Sequence, residues 1–446
     1  MGWTYTLAEL AETIGAAAPG TDASFDAVST DTRTLQPGQV FFALSGENFD
    51  GNRFLPEAFA KGAVAAVTRA ASELGPCLVV DSPLKALQAF AAAHRQRHPI
   101  PIFALTGSCG KTSAKDLTAA VLGSRMSVIK TQGNLNNDIG CPLSLLRIDG
   151  GTEMAVIEMG ANHMGEIAAL CEIARPAEAA ITLVAPAHLE GFGSIENVAK
   201  AKGEIAQGLN AGGTFYVNTG DEWCVRIGEA YDGDKVYFGP RGDVVLEDCG
   251  FDDDGEMRLR VSPVGELRLP LHSRAHASNV LLAVAVGLRH GIREFQEPLR
   301  EACLRTTRFK VTELGSLTII DDTYNANPTS VGAALEALAS RPGRGGRIAV
   351  LGDMLELGEA GPRLHAGLGE LAAKLGIGRV YTFGPLSRNT VEAAKAGGVG
   401  DARAFDEHKA IAEAVRAEAK PGDVVLVKGS RGMRMETVIE ELRKLV

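Results

Sequence analysis

Residues 103–116 read "FALTGSCGKTSAKD", and the reading of the whole chain turns on this stretch. It has the form of a phosphate-binding loop with unusual spacing. The common P-loop is G-x-x-x-x-G-K-[ST]. Counting back from Gly110-Lys111-Thr112, that pattern needs glycine at 105, where the chain has Leu105. The nearest glycine is Gly107, so the loop is G-x-x-G-K-T, two residues shorter. The physics of a phosphate cradle survives the shortening. Glycines let backbone N–H groups approach an anion, and the helix that follows offers free N–H groups and the positive end of its dipole. Lys111 supplies a cation for the outer phosphates, and the Thr112 hydroxyl can bind Mg²⁺. A chance Gly-Lys-Thr in a glycine-rich turn is the competing reading. The apolar strand pattern of 102–105 before the loop and the helical pattern from Thr112 favour the nucleotide.

Two more apolar runs end in polar residues. "MAVIEMGANHMGE" (154–166) delivers Glu158, and "AITLVAPAHLEGFGS" (180–194) delivers His188. Alternation of strand, loop and helix implies a parallel sheet with ligands at the carboxyl ends of its strands. The loop, Glu158 and His188 are therefore expected on one rim, where the two side chains resemble a divalent-metal shell beside Thr112. A histidine is an unusual ligand for Mg²⁺, which prefers oxygen.

Working outward, Thr6 and Glu9 predict a capping box. "STDTRTLQPGQVFFALSG" reads as short strands around a Pro37-Gly38 turn, and "FLPEAFAKGAVAAVT" as helix, Gly62 stop and strand. A helix opened by Ser82-Pro83 ends before Pro99, and Pro99 and Pro101 mark a boundary. Residues 236–270 read as an antiparallel ribbon ahead of a helix starting near His276. A second α/β unit has strands expected at 317–321, 347–351, 379–383 and 423–427, with "RPGRGGR" (341–347) as a flexible turn. The expected division is 1–98, 99–311 and 312–446.

Composition sets outer limits. The chain has 446 residues, 45% hydrophobic and 22% charged, which fits about three domains. A net charge of −10 argues against a general nucleic-acid binder. Seven scattered cysteines form no C-x-x-C pair, so neither zinc nor a disulfide framework is indicated and a reducing, cytoplasmic location is expected. The N-terminus lacks the form of a signal peptide. "VLLAVAVGL" (280–288) is too short to span a bilayer and reads as a buried helix, so no membrane insertion is expected. "HASN" places His276 and Asn279 on one helical face. In "DDTYNANP" (321–328), Asp, Tyr and Asn suit a helix cap and a nucleotide contact equally.

Taken together these motifs resemble the Mur ligases, and within them the branch that adds a dipeptide. The loop itself is similar, as are "TQGNLNNDIGCPLSLL" (131–146), "EMGANHMGEI" (158–167), "PAHLEGFGS" (186–194), "AKAKGEI" (199–205), "DDTYNANP", "LGDMLELGE" (351–359) and "VKGSRGMRME" (427–436). "STDTRTLQPGQVFFALSGENFDG" resembles the uridine-nucleotide domain of the family. The resemblance implies three α/β domains: a small UDP-substrate domain, a central P-loop-type ATPase domain with a mainly parallel sheet, and a C-terminal Rossmann-like domain. It implies ATP-dependent joining of D-alanyl-D-alanine to a UDP-N-acetylmuramoyl-tripeptide through an acyl phosphate, with ATP and two Mg²⁺ ions, by a monomer with small-molecule substrates. The alternative is a sister ligase that adds a single amino acid, whose Asp-Asn-Pro-Arg motif is absent here.

Residue by residue, the resemblance assigns Thr106, Gly107, Ser108, Cys109, Gly110, Lys111, Thr112 and Ser113 to the phosphates, with Lys111 on the γ-phosphate. His276, Asn279, Arg308, Asp322, Tyr324 and Asn325 are implied for the rest of the nucleotide. Thr112, Glu158, His188 and a carbamylated Lys202 are implied as metal ligands, since a carbamate is an oxygen donor where an ammonium would repel the ion. Lys111, Lys202 and His188 are the implied catalytic residues. Ser29, Asp31 and Arg33 fall where the uridine diphosphate is held, Asn136, Asn137 and Asn327 near the peptide, and Lys428, Ser430 and Arg431 near the dipeptide or as caps of the last helix. Two positions depart from the family pattern. Thr307 stands where glycine is usual. The variable loop position is Cys109, at a helix N-terminus beside a lysine, an environment that favours thiolate and makes it a candidate reactive thiol.

Overall fold

Ile102–Thr106 is buried at all five positions and runs third in the order of a nine-stranded sheet, between two parallel neighbours. In this computed structural model every residue is described except Met1, Asp22, Glu47, Asn48, Asp254, Thr307, Pro342 and Arg344. The sheet runs Val128–Lys130, Met154–Glu158, Ile102–Thr106, Glu178–Ile181, Thr214–Asn218 and Asp234–Gly239, all parallel. Val244–Phe251 extends it, and Met257–Ser262 and Gly265–Leu269 finish it antiparallel. The ribbon expected over 236–270 therefore begins later, at Val244. Phe238 is fully buried with Tyr216 in the core, which places its strand in the covered parallel part. Alternation of buried and exposed residues starts only at Met257, where one face meets solvent.

Helices Lys111–Gly123 and Ala277–Arg289 cover one face of this sheet. The run 280–287 is buried throughout, as its composition predicts. Among the described residues no helix is long and apolar enough to cross a membrane.

The first hundred residues build a four-stranded parallel sheet, Val28–Ser29, Val40–Phe42, Ala65–Thr68 and Cys77–Val79. The Thr6–Glu9 capping box forms, and Ser82 caps helix Pro83–Arg97. That helix belongs to two cores at once. Leu87, Phe90 and Ala91 share one apolar cluster with Tyr5 and Phe25 behind them and with Leu145, Ile148 and Leu170 in front. Polar groups pin the junction: Trp3 Nε1 donates to Leu146 O (2.8 Å), the His94 ring bridges Tyr5 and the Ile148 carbonyl, and Arg95 Nε donates to Ala174 O. Burial pushes the His94 imidazole down to about 4, so the bridge is made by the neutral ring.

The C-terminal sheet runs Lys310–Leu314, Leu317–Asp322, Val424–Lys428, Arg347–Gly352, Arg379–Phe383 and Asp401–Phe405, parallel except at its first pair. The four expected strands are present. The two outermost, "KVTEL" and "DARAF", escaped sequence reading because edge strands carry charges and few apolar residues. The turn expected at 341–347 includes Pro342 and Arg344, which lie outside the described residues.

One polar cluster closes the far edge of this sheet. The Tyr381 hydroxyl lies 2.8 Å from both Asp401 and Glu418, and Arg403 donates to all three. Hydrogen bonds from Tyr381 and then Arg403 hold the Glu418 carboxyl down at about 2. A carboxyl lowered by folding stabilises the protein above its unfolded value near 4.5, and that contribution is lost as the pH falls toward 2. Glu418→Gln should cost about 1 kcal/mol at pH 7, a figure discounted for a side chain 36% exposed. Urea unfolding of both proteins from pH 7 to 2 should show the gap closing below pH 4.5.

Candidate active site

The loop keeps its shape through two glycines. Gly107 has φ +147°, and a Cβ there would sit 2.0 Å from Thr182 Oγ1. Gly110, the N-cap of helix Lys111–Gly123, has φ +81°, and a Cβ would meet Asn279 Oδ1 at 2.7 Å. Only glycine fits both positions. The loop is then laced to the segment leaving Glu178–Ile181. Ser108 N–H donates to Leu183 O, Ser108 Oγ to Ala185 O, and Ala185 N–H back to Ser108 Oγ. Thr182 Oγ1 donates to Cys109 O. Thr106 is wholly buried beneath the loop. Lys111 Nζ folds back on Gly107 O at 2.6 Å, which keeps its charge over the cradle.

The expected convergence on one rim is present. A cleft of about 720 Å³ is lined by Ser108 to Ser113, Glu158 and His188 from the central sheet. His276, Asn279 and Arg308 line it from the following elements, and Asp322, Tyr324, Asn325, Asn327 and Lys428 from the C-terminal sheet. Asn136 and Asn137 line it as well. Glu158 is 2% exposed. Its Oε1 accepts from Asn136 Nδ2 at 2.8 Å and faces Thr112 Oγ1 at 3.5 Å. Among the described residues its buried Oε2 has no hydrogen-bond partner, and Lys115 Nζ stands 3.8 Å away. A buried carboxylate oxygen left open beside a threonine hydroxyl suits a hard cation such as Mg²⁺. Among the described residues no three His, Cys, Asp or Glu side chains cluster closely enough to hold an ion alone. A second ion near His188 would therefore need a ligand of another kind.

Lys202, on helix Ile195–Gln207, is 2% exposed and donates to Ala161 O at 3.2 Å. Burial, helped by the charge of Lys111, pushes its ammonium down to about 7. A substantial share of free amine is present at neutral pH, the form that reacts with CO₂. Burial also lowers the His188 imidazole.

Residues from the C-terminal sheet reach across the cleft. Arg308 lies flat on Tyr324, its guanidinium carbon 3.1 Å from the ring centroid, and its Nη2 is 3.3 Å from Thr112 Oγ1. Phe309 packs edge-on against the half-buried His276, whose Nδ1 has no hydrogen-bond partner among the described residues. Of the two roles open for "DDTYNANP", the helix cap is present, and Asp322, Tyr324 and Asn325 line the cleft. Asn327 caps helix Pro328–Ser340 and also donates to Ser108 O, while Asp322 lines the cleft and binds Lys428 at 2.6 Å. Asn325 accepts from its neighbour Ala326 N–H through its side chain.

Other expected residues lie apart from the cleft or are already engaged. Ser29, Asp31 and Arg33 are outside the cleft lining; Asp31 and Arg33 form a two-pronged ion pair, and Ser29 Oγ caps the same turn. Asn137 Oδ1 accepts from Gly140 N–H. Ser430 is buried, accepting from Leu355 N–H, and Arg431 pairs with Glu436 at the surface. Thr307 lies outside the described residues. Sequence reading missed Lys115, Thr182 and Glu356. Lys115 is one turn beyond Lys111, so the i, i+4 spacing was the available signal. Glu356 touches His188 across 168 residues, and no local pattern announces that.

A shortened phosphate loop flanked by a carboxylate ending one adjacent strand and a histidine beyond the other, facing a second α/β sheet across a cleft, defines a nucleotide-dependent enzyme whose site is shared by two sheets. Family profiles match in the same order: the Mur ligase catalytic domain over 24–102, the Mur ligase middle domain over 105–287, and the glutamate ligase domain over 307–431. The chain belongs to the Mur ligase family. It is 37% identical over 453 residues to the UDP-N-acetylmuramoyl-tripeptide–D-alanyl-D-alanine ligase of Escherichia coli, covering 98% of each chain. MurF from Acinetobacter baumannii superposes with a TM-score of 0.90 at 29% identity, over 99% of both chains. MurF ligase from Thermotoga maritima, in complex with ADP, gives 0.84 at 31%, over 94% of this chain and 97% of that one.

Cys109 is half-buried in the loop, its Sγ 3.3 Å from Asn327 Oδ1 and 3.2 Å from Nδ2. A nucleotide held by the loop would cover it. Alkylation of Cys109, followed by peptide mass mapping, should slow at least ~10-fold in saturating Mg-ATP. Equal labelling with and without nucleotide would separate the thiol from the phosphate site.

Proposed function

We propose that the chain is an ATP-dependent ligase that joins D-alanyl-D-alanine to UDP-N-acetylmuramoyl-tripeptide, releasing ADP and phosphate, in the synthesis of peptidoglycan precursors. The observation that carries this reading is full-length likeness to ligases of that specificity, on a chain whose phosphate loop opens into a cleft shared by two sheets. The sister reaction, adding a single amino acid, is not favoured.

The chemistry follows from the poor electrophilicity of a carboxylate. The tripeptide carboxylate attacks the γ-phosphorus of ATP, the bond to ADP breaks, and an acyl phosphate forms. The amine of the dipeptide attacks its carbonyl through a tetrahedral intermediate, loses a proton, and expels phosphate. The protein's work is positioning and charge neutralisation. Lys111 and the loop N–H groups would bind the phosphates, with His276, Asn279, Tyr324, Asn325 and Asp322 around the nucleoside and Arg308 at the phosphates. Thr112 and Glu158 would hold one Mg²⁺; Glu158, His188 and a carbamate on Lys202 would hold a second. When bound, these ions neutralise charge that develops on the transferring phosphoryl group. Asn136, Asn137 and Asn327 would contact the peptide, Lys428, Ser430 and Arg431 the dipeptide, and Ser29, Asp31 and Arg33 the uridine diphosphate. This allots 1–98 to the UDP substrate, 99–311 to ATP and 312–446 to the amine, in a cytoplasmic monomer.

Phosphate release should need ATP, Mg²⁺, UDP-N-acetylmuramoyl-tripeptide and D-alanyl-D-alanine together, dropping to background when any is omitted. Turnover without the dipeptide, or with free amino acids in its place, would sink this assignment. For Lys202, ¹³C-bicarbonate should give a carbamate resonance in the wild type that Lys202→Arg lacks. The signal should fade as the pH drops through about 7, where the ammonium form takes over. An unlabelled wild type would leave Lys202 as a plain phosphate contact.

A further inference from the structure

His188 and Glu356 meet across the cleft from opposite sheets. The His188 Nδ1 side of the ring rests on the Glu356 carboxylate, and Glu190 N–H donates to Glu356 O at 3.1 Å. Both residues hold left-handed backbone, φ +52° for His188 and +61° for Glu356, a conformation rare for residues with a side chain. Each backbone thus turns its side chain toward the other. Among the described residues the Glu356 carboxylate has no other hydrogen-bond partner.

We propose that Glu356 is the positioning residue for His188: its carboxylate accepts a hydrogen bond from Nδ1–H and leaves the Nε2 lone pair facing the cleft, so the C-terminal sheet completes a ligand of the central one. An ionised carboxylate can only accept, so the shared proton belongs to Nδ1. In a neutral imidazole the other nitrogen is then free to bind. A metal-bound histidine normally has its second nitrogen held by such a carboxylate, which fixes the ring and raises its basicity. The inference rests on the reading of His188 as a metal ligand. Its added content is that the ring is set only while residues 353–358 lie against residues 188–192, which ties ligand geometry to the contact between the two sheets.

The test uses the full chain with ¹⁵N-labelled histidine and Mn²⁺ alone as the metal probe. Long-range ¹H–¹⁵N spectra should show His188 as the Nδ1–H tautomer in the wild type. In Glu356→Gln, which keeps size and the backbone contact, the tautomers should redistribute. Mn²⁺ affinity at the weaker site, read by loss of the free-ion electron paramagnetic resonance signal, should fall about 10–100-fold. An Nε2–H ring in the wild type overturns the proposal without any variant. So does a Gln variant with unchanged tautomer and Mn²⁺ affinity. His188→Ala separates the two readings. If it leaves Mn²⁺ binding intact, the metal role of His188 fails and the tautomer measurement alone decides for Glu356. If it weakens binding while Glu356→Gln does not, only the positioning role fails.

Discussion

The tightest steric constraint on the loop is at Gly107, where an added Cβ would stand 2.0 Å from Thr182 Oγ1. With φ +147° at Gly107 and no room for a methyl group against the threonine hydroxyl, the loop lies directly on the segment leaving the neighbouring strand. Everything else at the cleft is referred to that contact. Ser108 is tied to Leu183 and Ala185, Cys109 O to Thr182, and Lys111 to Gly107 O. His188 follows the same segment six residues after Thr182, and Asn279 abuts Gly110 from the covering helix. A shortened loop suits this arrangement, because the strand exit supplies support that a longer loop would have to supply itself.

Charge organises the next layer. Glu158 is almost wholly buried, with Asn136 on one oxygen and an open second oxygen. Lys202 is equally buried and driven toward its neutral form by desolvation. A buried carboxylate whose lysine partner stands 3.8 Å off and a buried lysine pushed toward its neutral form are each costly in a folded interior, and their cost is understandable where ligands complete them. The same logic separates these residues from Tyr381, Asp401, Arg403 and Glu418, whose polar groups answer one another and need no ligand.

Much of this was legible in the sequence, for identifiable reasons. The loop, Glu158 and His188 sit at the ends of apolar strands, and parallel-sheet topology dictates that such ends converge. Ser82-Pro83 and Thr6–Glu9 are local signals, and both caps formed. Residues 236–239 read as part of the ribbon because their apolar pattern does not reveal whether both faces are covered. Lys310–Leu314 and Asp401–Phe405 were missed because edge strands resemble loops in composition. His188 stood out as a motif residue, whereas Glu356 lay inside "LGDMLELGE" with no role of its own, and their meeting depends on how two sheets oppose, which no spacing encodes.

Helix Pro83–Arg97 carries a consequence of a different kind. Since it serves the cores on both sides of it, the prolines at 99 and 101 punctuate the chain without separating two independently packed bodies. Contacts from these parts to the C-terminal sheet around the cleft are mostly polar and local. For anyone building chimaeras from related chains, a crossover at residue 99 would join mismatched halves of one apolar interior. A crossover just ahead of Phe309 would trade whole interiors and leave only a handful of facing side chains to be reconciled.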